Sequence, residues 1–147
     1  MKCIAVSACL LGENCKYNGG NNACPALMEA LARHEEIEVV PVCPEVAGGL
    51  PTPRLPAEIV DGRVMNNRGM DVDALFRAGV AAEMDRLRPF LENGELVAAV
   101  LQPRSPSCGV REVYDGTFSG VLVPGQGLFA QALSESGIKL IDAEDVR

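Results

Sequence analysis

KCIAVSAC (residues 2–9) is a short apolar run centred on Ile4 and Val6, and it ends on a cysteine at the edge of turn-rich chain. Its length and composition fit a buried strand. Residues 8–23 carry Gly12, Asn14, Asn18, Gly19, Gly20, Asn21 and Asn22, which is turn chemistry. A helix is expected from about Cys24 to His34. Leu27, Met28 and Leu31 supply its apolar stripe, Asn22 its cap, and Pro25 sits in its first turn. Strand, loop and helix in that order open an α/β unit.

The pattern repeats. IEVVPVC (37–43) reads as a second strand that also ends on a cysteine, and LVAAVL (96–101) as a third, followed by QPRSPSC. Residues 44–57 hold four prolines and two adjacent glycines, so they read as loop. Glu58 to Val64 around Asp61-Gly62 reads as a hairpin. The longest helix is expected from Val72 to Glu92, with Asp71 as its N-cap and Gly94 as its stop. Val72, Phe76, Val80, Met84, Leu87 and Leu91 recur at spacings of three and four along it, and Pro89 should bend or shorten its end. Short strands are expected near 110–114 and 120–123, a helix over 128–135 ended by Gly137, and a last strand over 138–141. The alternation predicts one domain spanning 1–147, a Rossmann-like three-layer α/β fold with a mostly parallel sheet flanked by helices.

Composition narrows the class. The chain has 147 residues, 48% hydrophobic and 22% charged, which suits a soluble globular domain. No apolar stretch reaches the roughly 18 residues a membrane span needs. The opening residues read as a buried strand and not as a signal peptide, which predicts a cytoplasmic protein with reduced thiols. A net charge of −7 argues against an extended nucleic-acid surface. Six aromatic residues and no Trp argue against a stacking platform for single strands.

In an open α/β sheet, ligands bind outside the carboxyl ends of the strands. Cys9, Cys43 and Cys108 each follow such an end. Three sulfurs distant in sequence would meet there, as a metal site with one ligand position to spare. The other reading makes each a small buried hydrophobe, which is the expectation for Cys3. Cys15 and Cys24 could be structural or form a redox pair. The absence of any CxxC pair weighs against a zinc ribbon, a thioredoxin motif and a ferredoxin-type loop. A sensor module and a zinc or thiol enzyme stay open on residues alone.

SACLLGENCKYNGG, VCPEVAGGLPTPRLPAE, RSPSCG and DGTFSGVLVPGQG together resemble the thiouracil desulfidase family, in order and through almost the whole chain. The resemblance implies a [4Fe-4S] cluster held by Cys9, Cys43 and Cys108, whose fourth iron has no protein ligand. It also implies a catalytic Glu45 and a catalytic Ser105, with Ser107 a less favoured substitute. Gln102 departs from the Lys that relatives often carry just before RSPSCG. The implied activity is non-redox hydrolytic removal of sulfur from a small thiopyrimidine such as thiouracil, as base, nucleoside or nucleotide.

The remaining candidates are cationic. Lys16, Arg54, Arg104 and Arg111 fall in the expected site loops of an otherwise acidic chain. They are expected to hold a substrate phosphate, with solvated surface charge as the other reading. For Glu45 the other reading is a pair with Arg54. Gly125 and Gly127, before the last helix, could offer backbone donors to an anion. The lone His34 ends a helix, where its dipole favours an imidazole.

Overall fold

The computed structural model describes residues 1–146. Its central sheet has four strands, all parallel: β1 (Cys3–Ser7), β2 (Glu38–Val42), β5 (Leu96–Leu101) and β8 (Lys139–Asp142), in the spatial order β2-β1-β5-β8. Two antiparallel ribbons stand beside it: β3 (Ala57–Val60) with β4 (Arg63–Asn66), and β6 (Glu112–Tyr114) with β7 (Leu122–Pro124). The helices are α1 (Pro25–Ala32), α2 (Pro44–Ala47), α3 (Asp73–Glu92) and α4 (Leu128–Glu135). No helix among them is long and apolar enough to cross a membrane.

Period-two alternation splits the strands between two cores. Cys3, Ala5, Val40, Val42, Ala99 and Leu101 face one way and pack with Leu87 of α3 and with Phe129 and Leu133 of α4. Ile4, Val6, Val39 and Val100 face the other way and pack with Leu27 of α1. Burying each such Leu or Phe contributes roughly 1.5–3 kcal/mol. Both faces of the sheet are thus covered, as an all-parallel sheet requires.

Several sequence expectations shift. α1 is shorter than expected, and its N-cap is Cys24; Asn22 does not cap it, and Pro25 takes the first helical position. The N-cap of α3 is Val72, and no side chain caps it. Asp71 instead accepts from Asp73 N at 2.9 Å, while buried Asp73 accepts from Val64 N at 3.0 Å and pairs with Arg77 at 2.7 Å. Pro89 does not end α3, which runs on to Glu92. The hairpin has the expected Asp61-Gly62 turn, with φ 49° and 79°, both left-handed, as a type I′ turn requires. Within the expected loop 44–57 lies α2, a single turn that begins at Pro44.

That turn is pressed against α3 by two facing glycines. A Cβ on Gly79 would lie 1.7 Å from Pro44 O, and one on Gly48 would lie 2.0 Å from Leu75 O. Only a residue without a side chain allows the two backbones to approach this closely.

Candidate active site

The chain leaves β1 for β2 on one side, then crosses back to β5 on the other. A crevice opens where the direction reverses, at the carboxyl ends of these strands. Ser7 Oγ bridges the two ends by accepting from Gln102 N at 3.0 Å. Above them lies a cavity of about 660 Å³ whose lining includes Cys9, Cys43, Cys108, Cys15, Glu45 and Ser105.

Each thiol reaches the cavity by a different local device. Cys9 sits in a 3₁₀ turn (Ala8–Leu11) that continues directly from β1. Cys43 is the N-cap of α2, and its N–H donates to Glu83 Oε2 of α3 at 2.9 Å. Cys108 closes a turn in which Ser105 Oγ accepts from both Ser107 N and Cys108 N at 3.1 Å. That turn rests on the start of α4: Phe129 N donates to Ser107 O at 2.8 Å and Leu128 N to Pro106 O at 2.9 Å. The N–H of Gly127 goes to Gly109 O and that of Gly125 to Arg111 O. The donors expected to receive an anion therefore hold the Cys108 loop instead.

Cys15 joins the set, in hydrogen-bonding contact with Cys43 and Cys9. Its bond to Cys43 lowers its pKa, but its bond to Cys9 and its burial raise it more, and it is pushed up to about 11. The Cys43 thiol is raised, first by its bond to Cys15 and then by burial. Burial pushes Cys108 up to about 12 against the opposing hydroxyls of Ser7 and Ser107. All six cysteines are free; Cys24 lies buried in the α1 core and Cys3 in the α3 core.

Glu45, in the first turn of α2, faces this thiol group from the side. Its Oε2 accepts from Ser107 Oγ at 2.8 Å and from Ser105 Oγ at 3.5 Å, and the two hydroxyls lie 2.9 Å apart. Its Oε1 accepts from Arg54 Nε at 3.0 Å. Arg54 is a buried guanidinium that also donates to Cys15 O at 2.8 Å. One arginine thus ties the carboxylate to the loop that carries Cys15.

The basic residues are otherwise engaged. Arg104 lines the cavity, but its guanidinium pairs with Glu144 and lies 4.0 Å from Glu112. Arg111, expected in the site, pairs with Asp145 at 2.7 Å and Asp142 at 3.6 Å and is not among the cavity's lining residues. Lys16 lines the cavity and stands 5.8 Å over the Tyr17 ring. Of the four cations expected to hold phosphate, Lys16, Arg54 and Arg104 line the cavity, the two arginines paired with carboxylates, and Arg111 lies outside it. His34 pairs with Glu36 at 3.1 Å, exposed on the surface. Gln102 lines the cavity, and its Oε1 is a buried atom without a hydrogen-bond partner.

The 2-thiouracil desulfurase family model matches residues 4–145. The chain belongs to this family. It is also 33% identical over 153 residues to the uncharacterised protein YbbK of Bacillus subtilis (strain 168), covering 97% of each chain. A solved structure of a [4Fe-4S]-dependent thiouracil desulfidase, TudS, superposes with a TM-score of 0.85 at 37% identity, over 99% of this chain and 93% of that one.

The donor set can be weighed against an iron–sulfur group on its own terms. Thiolates are the ligands such clusters use. Among the described residues, no three Cys, His, Asp or Glu side chains are placed to hold a single metal ion. Cysteine thiols that converge on one cavity are the donor type an iron–sulfur group takes. Sequence reasoning missed Glu83, Ser7 and the approach of Cys15. Glu83 and Ser7 carry no local signal, because each acts on a residue far away in the chain. The six-residue step from Cys9 to Cys15 within one glycine- and asparagine-rich loop was a usable hint.

Proposed function

We propose that this protein removes sulfur from a thiopyrimidine by replacing it with the oxygen of water, with no net redox change, using a [4Fe-4S] cluster held by Cys9, Cys43 and Cys108. When bound, the cluster supplies an open iron, a soft Lewis acid suited to a thiocarbonyl sulfur. Glu45 and the Ser107 hydroxyl then hold a water near the thiocarbonyl carbon. Glu45 takes a proton as the water oxygen bonds to that carbon. The second water proton passes from that oxygen to sulfur, the C–S bond breaks as the carbonyl forms, and the sulfur departs as hydrosulfide. Arg54 fixes the carboxylate from behind. Ser105 shapes the turn that presents both Ser107 and Cys108, and its own hydroxyl stays within reach of Glu45.

The observation that carries this reading is the 2.8 Å contact between Glu45 and Ser107 beside three strand-end thiols. A passive sensor has no need of a carboxylate held by an arginine on one oxygen and hydroxyls on the other. The paired arginines favour an uncharged substrate, the free base, over its monophosphate. The test is anaerobic reconstitution with iron and sulfide, followed by a panel of thiopyrimidine bases and nucleotides monitored by loss of thiocarbonyl absorbance. Turnover that depends on the cluster, is lost in Glu45→Ala, and prefers the base supports the reading. A cluster-loaded protein that turns over no member of the panel overturns it.

A further inference from the structure

The chain has six aromatic residues, and they divide cleanly. Phe76 and Phe129 are fully buried, and Phe90 packs against the core that holds Phe129. The other three, Tyr17, Tyr114 and Phe118, all line the site cavity. Phe118 is the most unusual of them. It lies in the connection from β6 to β7 and adopts φ 57°, a left-handed backbone that is an outlier for a bulky side chain. The residue is 37% exposed, so burial in the core does not explain its conformation.

The conformation is held from several directions. Glu58 reaches across from β3, and its Oε1 accepts from both Gly116 N at 3.0 Å and Phe118 N at 3.1 Å. Asp115 accepts from Thr117 N at 2.9 Å and from Thr117 Oγ1 at 2.6 Å. A Cβ on Gly116 would lie 2.7 Å from Ile59 O, so the loop is pressed onto β3. Backbone strain persists only where the surroundings over-determine it, and it concentrates at functional sites. Here the restraints fix the backbone of an aromatic residue that lines the cavity.

We infer that Phe118 is the residue on which a flat heteroaromatic substrate stacks, and that Glu58 is the positioning residue that holds it there. Every base offers a π face, so stacking grips the ring without reading its edge. An edge left free in this way can carry its thiocarbonyl inward, toward the thiols and Glu45. The inference rests on the desulfidase reading for its substrate class.

Uracil, the sulfur-free product, isolates ring binding from chemistry, and its affinity for the cluster-loaded chain is measured by calorimetry. Phe118→Ala is expected to weaken uracil binding by roughly 5- to 150-fold, the span that base–aromatic stacking covers. The same variant raises KM for thiouracil more than it lowers kcat, and it leaves the cluster absorbance unchanged. Phe118→Tyr retains affinity, and Phe118→Leu, which keeps bulk without a π face, does not; this pair carries the test if the alanine variant fails to fold. Glu58→Ala weakens binding, and Glu58→Gln restores it, because an amide oxygen can still accept both N–H groups. Uracil affinity unchanged in Phe118→Ala, with thiouracil still turned over by the unmodified chain, overturns the inference and leaves the desulfidase reading standing. An unmodified chain that neither binds uracil nor turns over thiouracil overturns both.

Discussion

Gly79→Ala adds one methyl group to the long helix at a point that touches no substrate. The new Cβ would lie 1.7 Å from Pro44 O and 2.9 Å from Gly48 N, whereas real Cβ contacts essentially never fall below 3.0 Å. Both obstacles are backbone atoms, so no rotamer change relieves the clash. Relief requires α2 to move away from α3 by more than an ångström. α2 carries Glu45 in its first turn, and Cys43 is its N-cap, so the movement passes directly to a carboxylate and a thiol. A misplacement of about 1 Å can cost on the order of 100-fold in rate. Overpacking costs about 1–3 kcal/mol, against which Ala recovers about 1 kcal/mol of helix propensity. The expected variant is therefore folded, modestly less stable, and severely impaired. Thermal unfolding, iron content after reconstitution and thiouracil turnover measure the three effects separately. Wild-type turnover in Gly79→Ala would refute the claim that this glycine contact sets the position of Glu45.

Other expectations follow from the same geometry. Single serine substitutions at Cys9, Cys43 and Cys108 should abolish iron–sulfur absorbance, while Cys3→Ser and Cys24→Ser should retain it. Glu45→Ala should keep the cluster and lose roughly 10²–10⁴ in turnover, the range for removing a positioned acid–base group; Ser107→Ala should be more damaging than Ser105→Ala in the same assay, since its hydroxyl lies closer to the carboxylate. Arg54→Met should cost roughly 3–5 kcal/mol of stability, because it leaves Glu45 without its buried partner, and chemical denaturation would show it. Asp73 has its pKa lowered: burial opposes this, but Arg77 and the N–H of Val64 outweigh it. Its contribution is present above the ordinary carboxylate range and is lost as pH falls through the lowered value. Asp73→Asn should therefore cost roughly 1.5–3 kcal/mol near neutrality and flatten the acid side of the stability curve.

The parallel sheet was legible because its strands are short apolar runs, each bounded by turn residues, and two of them end on cysteines. The long helix was legible from the spacing of Phe76, Val80, Met84 and Leu87. α2 was hidden, since Pro44 and Gly48-Gly49 bracket only one turn and prolines usually announce loop. Asp71 looked like a cap because Asp favours that position; the hydrogen bonds of Asp71 and Asp73 instead fasten α3 to β4, and no local pattern encodes that. The strand-end thiols could be placed together because topology alone delivers them. The partners of the arginines could not be foreseen. Arg104 meets Glu144 forty residues on, and Arg111 meets Asp145 thirty-four residues on, through pairings that exist only once β8 is in place.

Cys9 and Cys108 flank two neighbouring strands that are almost a hundred residues apart along the chain, and the bridge from Ser7 to Gln102 closes the floor between them. During synthesis the first two thiols leave the ribosome long before β5 can pair with β1. Such non-local pairing is intrinsically slow. Until it happens, Cys108 cannot join Cys9 and Cys43 at the carboxyl ends of the strands. With the proposed ligand set, cluster insertion is a late event, one that waits for residue 108 and the start of α4 beneath it, and a chain truncated before α4 should be unable to retain iron however much is offered.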